Sequence, residues 1–330
     1  MSMKKYIIPF LCYVLIFVII VNVDKISNFL AKTISSENIL TIQEGNEYTK
    51  NYDFLYVQNS NKYMPYSKDD LIDIMYSIIN QGWSEFTFYC PKEYSECIKD
   101  ISVLSKDDLN LTHVNNYVHP YNSFKTIKTS ITETGEITIF VDYLYTAEEK
   151  EIINGYVNKI VDKYNSDNLD DFEILKSIHD EIINNTKYDI TRNDTGDSKY
   201  RSYNAYGPVV EGYATCNGYA DLMAIILSAM GYQNFKVATT SDEISYESNG
   251  HIWNAVKIDD EWLHLDLTWD DPVSSDGKNY LYHKYFLVTT EEMKASDYGN
   301  VSVEEHNFNK AIYQEFMIDS NSNDNNDIEE

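Results

Sequence analysis

The stretch that decides the fold runs from residue 211 to residue 223 and reads Glu-Gly-Tyr-Ala-Thr-Cys-Asn-Gly-Tyr-Ala-Asp-Leu-Met. An extended segment here turns into an apolar helix, with Thr215 as the predicted N-cap and Gly231 as the stop signal. Cys216 then lies in the first helical turn, where unpaired backbone N–H groups and the helix dipole favour an ionised thiolate. Considered alone, a cysteine at a helix start is more often a small buried side chain. The chemical role of Cys216 depends on what the rest of the chain brings near it.

An imidazole, His251, and a carboxylate, Asp266, follow on two predicted antiparallel strands that a turn at residues 259–260 joins. With two residues in the turn, Trp253 faces Asp266 and His251 is its next neighbour on that side of the sheet. A register shifted by one pair places His251 directly opposite Asp266. A carboxylate beside an imidazole fixes its tautomer and stabilises its charged form. We therefore predict Cys216 as the nucleophile, His251 as the general base and acid, and Asp266 as the orienting group.

His264 shares the face of these strands, predicted at residues 251–258 and 261–267, and is the rival imidazole. His251 is preferred because Gly250 and the polar stretch at residues 242–249 leave it at a loop-to-strand edge that a substrate can reach. The other histidines singled out are predicted to be structural, since no metal-ligand pattern surrounds them. They are His113 and His119 in loop-like sequence and His179 in a predicted helix.

Three blocks of sequence resemble the core of the transglutaminase-like superfamily, and in particular its bacterial exported branch. They are Gly-Tyr-Ala-Thr-Cys-Asn-Gly-Tyr-Ala-Asp at 212–221, Gly-His-Ile-Trp-Asn at 250–254 and Trp-Leu-His-Leu-Asp-Leu-Thr-Trp-Asp-Asp-Pro at 262–272. The resemblance covers about residues 170 to 290 and implies a papain-like α+β core. It also implies that Cys216, His251 and Asp266 are the nucleophile, the general base and acid, and the orienting residue. The family includes peptidases and members that have lost activity, so the resemblance does not settle the reaction.

Further residues are candidates for binding the substrate or the oxyanion. Tyr206 lies where the family often carries a segment that lines the site, and it is the candidate second oxyanion donor beside the backbone N–H of Cys216. Animal transglutaminases use an upstream tryptophan for this role, and this chain has none between Trp83 and Trp253. Trp253 and Trp269 are further candidates for contact with the substrate, and Trp269 together with residues 270–272 is the candidate cleft wall, although aromatic residues on strands around a cleft more often pack in the core.

The charge of the chain excludes some classes of partner. A formal net charge of −27 and a sequence pI near 4.5 argue against nucleic acid, because binding phosphates needs a basic face. The same charge argues against broad adhesion to anionic lipid. The sequence has no phosphate-cradling glycine loop and no CxxC pair. We therefore predict neither a cofactor nor a metal.

The N-terminus predicts export. Lys4 and Lys5 precede an uncharged apolar run from Tyr6 to Val23. About 18 residues at ~1.5 Å each span ~27 Å, close to the thickness of a bilayer core. The run ends without the small residues of a cleavage site, so an uncleaved single-pass anchor is favoured over a cleaved signal peptide. The lysines keep the N-terminus in the cytoplasm, and the domains that follow are predicted to be extracellular, or secreted if the segment is cleaved.

Export also makes the cysteine pattern informative. Cys12 lies in the apolar run, and Cys90 and Cys97 share one segment, which leaves Cys216 as a candidate reactive thiol. If a helix starts at Pro91, Cys97 lies nearly two turns along it and ~10 Å from Cys90. That distance is beyond the reach of a disulfide, so a bridge is disfavoured.

The pattern of elements predicts an α+β protein in five parts. The small domain has predicted strands at 53–57 and 85–89, a helix capped by Ser67, a helix over 94–104, and a hairpin at 134–135. Two helices, over about 146–164 and 170–185, lead into the papain-like core. The parts are an anchor or signal segment at 1–23, a stalk at 24–50, an α+β domain of unknown role at 51–145, the helical lead-in and transglutaminase-like domain at 146–317, and a disordered acidic tail at 318–330.

The leading interpretation is an exported, membrane-anchored cysteine acyl-transfer enzyme that acts on peptide or side-chain amides. Its partner is a protein or peptide substrate, with cell-envelope peptide as one candidate. Hydrolysis is slightly favoured over cross-linking, because an acyl-enzyme in an open cleft meets abundant water. The alternatives are a non-catalytic cell-surface binding module that keeps the fold and an envelope scaffold built on the N-terminal domain. The reactivity of the Cys216 thiol distinguishes the enzyme from the binding module.

Overall fold

The computed structural model describes Asn22, Lys25 and residues 42–165, 169–239, 250–273, 280–297 and 305–317. The chain divides into one unit at Met1–Gln43, of which few residues are described, and a compact unit at Glu44–Glu330. The anchor predicted at 1–23 falls outside the described residues apart from Asn22, and so does the tail predicted at 318–330. Among the helices within the described ranges, none has the length and apolarity needed to cross a bilayer.

The described chain is a mixture of helices and mostly antiparallel strands. The helices are α1 (Lys68–Asn80), α2 (Cys97–Leu104), α3 (Asp108–Tyr117), α4 (Ala147–Tyr164), α5 (Asp171–Asn185), α6 (Ile190–Thr195), α7 (Cys216–Ala229), α8 (Leu267–Asp270) and α9 (Thr290–Asp297). The strands are β1 (Glu85–Tyr89), β2 (Phe124–Ile131), β3 (Glu136–Tyr143), β4 (Lys187–Tyr188), β5 (Tyr213–Ala214), β6 (Asn234–Ala238), β7 (Ile252–Ile258), β8 (Glu261–Leu265) and β9 (Phe286–Val288).

The first sheet has the order β1-β3-β2, and it contains the strand and the hairpin that the sequence predicts. The predicted cap of α1 is also present, since the Ser67 side chain accepts a hydrogen bond from the backbone N–H of Asp70. The strand predicted at 53–57 is wrong. The N–H of Phe54 donates to the carbonyl of Val57 in a turn, and the N–H of Leu55 donates to Glu315. The backbone of this segment is therefore not bonded into a sheet.

The helix predicted over 94–104 begins later, at Cys97, and residues 91–96 form turns instead. This brings the Cα atoms of Cys90 and Cys97 to 5.8 Å, and the two residues form a disulfide. The expectation of an unbridged pair was wrong because it assumed a helix from Pro91. The loop expected around His113 is also wrong, since His113 lies on α3.

The second sheet is antiparallel, with the order β6-β7-β8-β9, and it carries the register that a two-residue turn requires. Asn254 pairs with Leu265 and Ile258 pairs with Glu261. Asp259 and Asp260 form the turn, both with positive φ values of 46° and 68°, as in type I′ hairpins. Strand β8 ends at Leu265, two residues earlier than predicted.

Helices α4 and α5, both confirmed by the structure, pack with α7 in the main core. Apolar side chains such as Ile153 on α4, Leu175 on α5 and Leu222 on α7 are buried there. The amide nitrogen of Asn254 on β7 donates to the carbonyl of Ala220 at 2.9 Å, which fastens α7 to the sheet. A buried ion pair of 2.7 Å between Lys236 and Asp221 adds a second link. The core thus fixes α7 relative to β7.

Side chains from the predicted stalk and small domain pack directly beside β6. The ring of Tyr117 stacks on that of Phe235, with centroids 5.0 Å apart, and Lys50 Nζ donates to the carbonyl of Asn234 at 2.5 Å. Residues on both sides of the predicted boundary near 145 therefore belong to one compact unit. That each side folds independently stays a prediction.

Candidate active site

Cys216 is the first residue of α7, and the N-terminus of this helix lacks a side-chain cap. Thr215 is the N-cap by its extended backbone, but its hydroxyl donates to the carbonyl of Ser202 at 3.2 Å. The first backbone N–H groups of a helix have no acceptor within the helix. Here they remain available to stabilise a thiolate or an oxyanion at Cys216.

Gly218 allows the first turn of α7 to lie against the backbone of the preceding loop. A Cβ atom at this position would meet the carbonyl oxygen of Ser202 at 2.3 Å. The same carbonyl accepts a hydrogen bond from the backbone N–H of Thr215 at 2.8 Å. Contacts with Ser202 therefore fix the start of the helix, and with it Cys216.

His251 joins Cys216 to Asp266. Its Nε2 atom donates to Oδ2 of Asp266 at 2.5 Å, and the Cys216 side chain is near enough to favour the charged form of its ring. Since Nε2 is occupied by the carboxylate, Nδ1 is the nitrogen on the side of the thiol. His251 and Asp266 are buried, whereas Cys216 is partly exposed.

The local charges favour an imidazolium beside a carboxylate. Burial opposes the charged ring, but the Asp266 carboxylate and the Cys216 side chain outweigh it and hold the pKa of His251 well above its ordinary value. Burial likewise opposes the charged carboxylate, but His251 and His306 outweigh it and hold the pKa of Asp266 far below its ordinary value. Such a pair keeps Nδ1 of His251 protonated towards the sulfur at neutral pH.

A second imidazole contacts Asp266, and the sequence analysis missed it. Nε2 of His306 donates to Oδ2 of Asp266 at 2.9 Å, and Nδ1 donates to Oδ1 of Asp297 at 2.9 Å. Burial lowers the pKa of His306, but the two carboxylates outweigh this effect and raise it above its ordinary value. Forty residues separate His306 from Asp266, so neither strand register nor helical spacing could have linked them.

The other oxygen of Asp266 explains why β8 ends early. Oδ1 accepts hydrogen bonds from the backbone N–H groups of Thr268 at 2.8 Å and Trp269 at 3.2 Å. Asp266 is therefore the N-cap of α8, and this cap turns the chain out of the sheet. It also fixes the carboxylate plane, so that Oδ2 points at the two imidazoles.

The rival imidazole is held away from the thiol. Nδ1 of His264 accepts a hydrogen bond from Nε1 of Trp253 at 3.0 Å, and Nε2 is hydrogen-bonded to the hydroxyl of Thr290 at 3.0 Å. Burial lowers the pKa of His264 to about 3, which leaves the ring neutral. The structure brings His251, and not His264, to Cys216.

Cys216 and His251 open into a cleft of 330 Å³. Trp269 lines this cleft, and its Nε1 atom donates to Glu305, another lining residue, at 3.1 Å. Trp253 is fully buried instead, with its ring stacked on His251 at a centroid distance of 5.6 Å.

Tyr206 is not among the residues that line the described part of the cleft. It packs against the main core, with the guanidinium of Arg201 4.8 Å from the centre of its ring. The sequence analysis did not single out the lining residue Tyr188, which is brought in by the pairing of β4 with β5. Asp271 and Pro272 also line the cleft, at the position where the sequence indicated a wall.

Two groups of described side chains lie close enough to chelate a metal ion. One is the hydrogen-bonded set of His251, Asp266 and His306. The other is His179, Asp180 and His283, in which both imidazoles contact Oδ1 of Asp180, at 3.0 and 2.6 Å. Lys176 occupies Oδ2 of the same carboxylate at 2.8 Å. Hydrogen bonds from imidazoles therefore occupy both carboxylates, and Lys176 also bonds that of Asp180.

Residues 158–267 match the transglutaminase-like superfamily. The matched range contains Cys216, His251 and Asp266, and it spans α5, α7, β7 and β8 of the mixed α/β fold. Residues 158–267 therefore form a transglutaminase-like region of the chain. Members of the superfamily are usually cysteine-dependent enzymes.

Solved structures give only distant similarity. A structure titled as that of a TGase is 13% identical, with 47% of this chain and 48% of that chain covered and a TM-score of 0.31. The periplasmic domain of TgpA from Pseudomonas aeruginosa, bound to ethylmercury, is 14% identical, with 44% and 66% covered and a TM-score of 0.27. The chain spans about half the length of the first of these. No curated protein matches the chain.

Proposed function

We propose that the protein is a cysteine-dependent acyl-transfer enzyme that acts on peptide or side-chain amides. The observation that carries this proposal is the series of Cys216, His251 and Asp266, which begins at an uncapped helix N-terminus and faces a cleft. Each of these features favours a thiolate–imidazolium pair.

In the first half of the proposed reaction, Sγ of Cys216 attacks the amide carbonyl carbon and a C–S bond forms. The carbonyl oxygen becomes an oxyanion, which the backbone N–H of Cys216 stabilises. Nδ1 of His251 then gives its proton to the amide nitrogen, the C–N bond breaks, and the amine leaves. Asp266 holds the ring in the tautomer that allows this transfer.

In the second half, water or an amine attacks the thioester. Nδ1 of His251 takes a proton from the attacking group, the C–S bond breaks, and the thiolate returns. Hydrolysis is slightly favoured over cross-linking, because an acyl-enzyme in a cleft that opens to solvent meets abundant water. The substrate class is a protein or peptide, with cell-envelope peptide as the candidate.

An assay that detects both outcomes tests this proposal. The protein is incubated with a peptide mixture and a biotinylated primary amine, and mass spectrometry follows new N-termini and incorporated amine. We expect new N-termini to outnumber amine adducts and both to vanish in Cys216→Ala. Products that persist in Cys216→Ala would contradict the proposed nucleophile, and adducts in excess would favour cross-linking.

We also propose that residues 6–23 anchor the protein in the cell membrane, with the N-terminus in the cytoplasm and the remainder outside. The support is the uncharged apolar run after Lys4 and Lys5. The protein should then fractionate with membranes and be digested by protease added to intact cells. Recovery of a soluble form that starts near residue 24 would contradict the anchor but not the export.

A further inference from the structure

We propose that His306 is a positioning residue that stays doubly protonated between two carboxylates, and that its charge weakens the hold of Asp266 on the His251 proton. This inference rests on the proposed function, because it concerns the same site. The observation behind it is an unbroken series of contacts in the order Asp297, His306, Asp266, His251 and Cys216.

The protonation state of His306 follows from its two partners. An ionised carboxylate has only acceptors, so each ring nitrogen that faces one must carry a proton. Nδ1 faces Asp297 and Nε2 faces Asp266, both at 2.9 Å. A ring that donates from both nitrogens is an imidazolium. The ring and both carboxylates are buried, where an unpaired charge would be costly.

The sign of the effect on His251 follows from the position of this charge. The rings of His306 and His251 have centroids 5.4 Å apart and donate to the same oxygen of Asp266. A positive charge at this distance opposes the charged form of His251 and favours the thiolate of Cys216. Without it, Asp266 would hold the His251 proton more tightly and the thiol would ionise at a higher pH. His306 therefore makes the proton on His251 easier to transfer to a leaving amine.

The other groups that face His306 do not reverse the effect of its charge on His251. The described titratable groups around it are Asp266, Asp297, His251, the phenol of Tyr285 and, more distantly, His264. His264 is neutral because burial lowers its pKa to about 3. Glu305 adjoins His306 in the chain and turns its carboxylate to Nε1 of Trp269. Within the described part of the chain, the rings of Trp253 and Trp269 also contact His306.

The protonation state is tested first by ¹⁵N NMR of histidine-labelled, full-length protein in mild detergent. We expect both ring nitrogens of His306 to give protonated-type shifts from pH 5 to pH 8, whereas His264 shows one protonated nitrogen. An unprotonated ring nitrogen on His306 in this range would overturn the inference. This measurement needs no substitution of His306.

The charge effect is tested by alkylation of Cys216 with two reagents. The rate with neutral iodoacetamide reports the thiolate, and the fall in rate with anionic chloroacetate at high pH reports the loss of the His251 proton. His306→Gln keeps a donor to Asp266 but removes the charge. We expect the pH midpoints of the iodoacetamide and chloroacetate rate profiles both to rise by about 1–3 pH units.

His264→Gln is the matched control, since it replaces another buried ring of the same cluster that carries no charge. It should leave both midpoints in place. Equal shifts in the two variants, or no shift in His306→Gln, would overturn the inference. A wild-type Cys216 that reacts like a free thiol would instead contradict the proposed function, while the NMR result on His306 would stand.

Discussion

At the scale of single residues, Asp266 contributes both of its carboxylate oxygens, and each has a different role. Oδ2 accepts from His251 and His306, and Oδ1 caps α8 through Thr268 and Trp269. The sequence indicated the first of these contacts, because the alternation of two strands puts His251 and Asp266 on one face. The contact with His306 depends on the path of the chain after α9, which no local pattern encodes.

Asp266→Asn should therefore greatly reduce turnover and only moderately reduce the free energy of unfolding. Asparagine offers one acceptor oxygen and a donating amide, so it cannot satisfy four donors and it permits the wrong tautomer of His251. We expect turnover to fall by about 10³–10⁴-fold and the free energy of unfolding to fall by about 1–3 kcal/mol. Kinetics and urea denaturation measure the two effects. Turnover near the wild-type level would show that Asp266 does not orient the base.

At the scale of elements, helices with strong caps and a clear apolar stripe were predicted well. Helix α4 has the capping box formed by Thr146 and Glu149, and the Asp170 side chain caps α5. The failures have physical causes that a local pattern does not contain. The late start of α2 accompanies the Cys90–Cys97 bridge, and in the 53–57 segment the backbone N–H of Leu55 donates to the distant Glu315 rather than to a neighbouring strand.

The start of α7 gives a test at this scale. In Gly218→Ala, the new Cβ would meet the carbonyl oxygen of Ser202 at 2.3 Å, so the helix start must shift. We expect a loss of about 1–3 kcal/mol in the free energy of unfolding and slower alkylation of Cys216. Gly155→Ala is the control, since this exposed position on α4 has no heavy atom within 4 Å of the new Cβ. That substitution should stabilise the protein by about 0.4–1 kcal/mol. Equal effects at both glycines would contradict the packing argument.

At the scale of the whole molecule, five buried histidines fall into two electrostatic classes. Burial lowers the pKa of His113 to about 4 and of His264 to about 3, and it holds that of His119 well below its ordinary value. Carboxylates outweigh burial and raise the pKa values of His251 and His306. The two histidines with raised pKa values lie at the candidate active site, and the three with lowered pKa values lie in the surrounding core. The sequence predicted His113 and His119 as structural but could not separate the classes, because burial and partners come from tertiary packing.

This division predicts how stability depends on pH. The folded pKa of His264 lies below its unfolded value of ~6.5, so the unfolded chain binds an extra proton as the pH falls below 6.5. The contribution of neutral His264 is present above that pH and is lost at ~1.4 kcal/mol per unit on acidification. The stability gap between wild type and His264→Gln should therefore shrink by about 2 kcal/mol from pH 6.5 to pH 5. Urea denaturation at both values measures it, and a constant gap would mean that His264 protonates in the fold.

The central claim is that His251 activates Cys216, and the pH dependence of Cys216 alkylation tests it most directly. Wild-type protein is treated with iodoacetamide from pH 4 to pH 9, and mass spectrometry follows the modified Cys216 peptide alongside that of His251→Ala. The account predicts that wild-type alkylation stays fast well below pH 7. In His251→Ala the rate should approach that of an ordinary thiol, which slows tenfold per pH unit below ~8.5. A wild-type profile that already follows the ordinary thiol, and that His251→Ala leaves unchanged, would contradict the claim and favour the binding module.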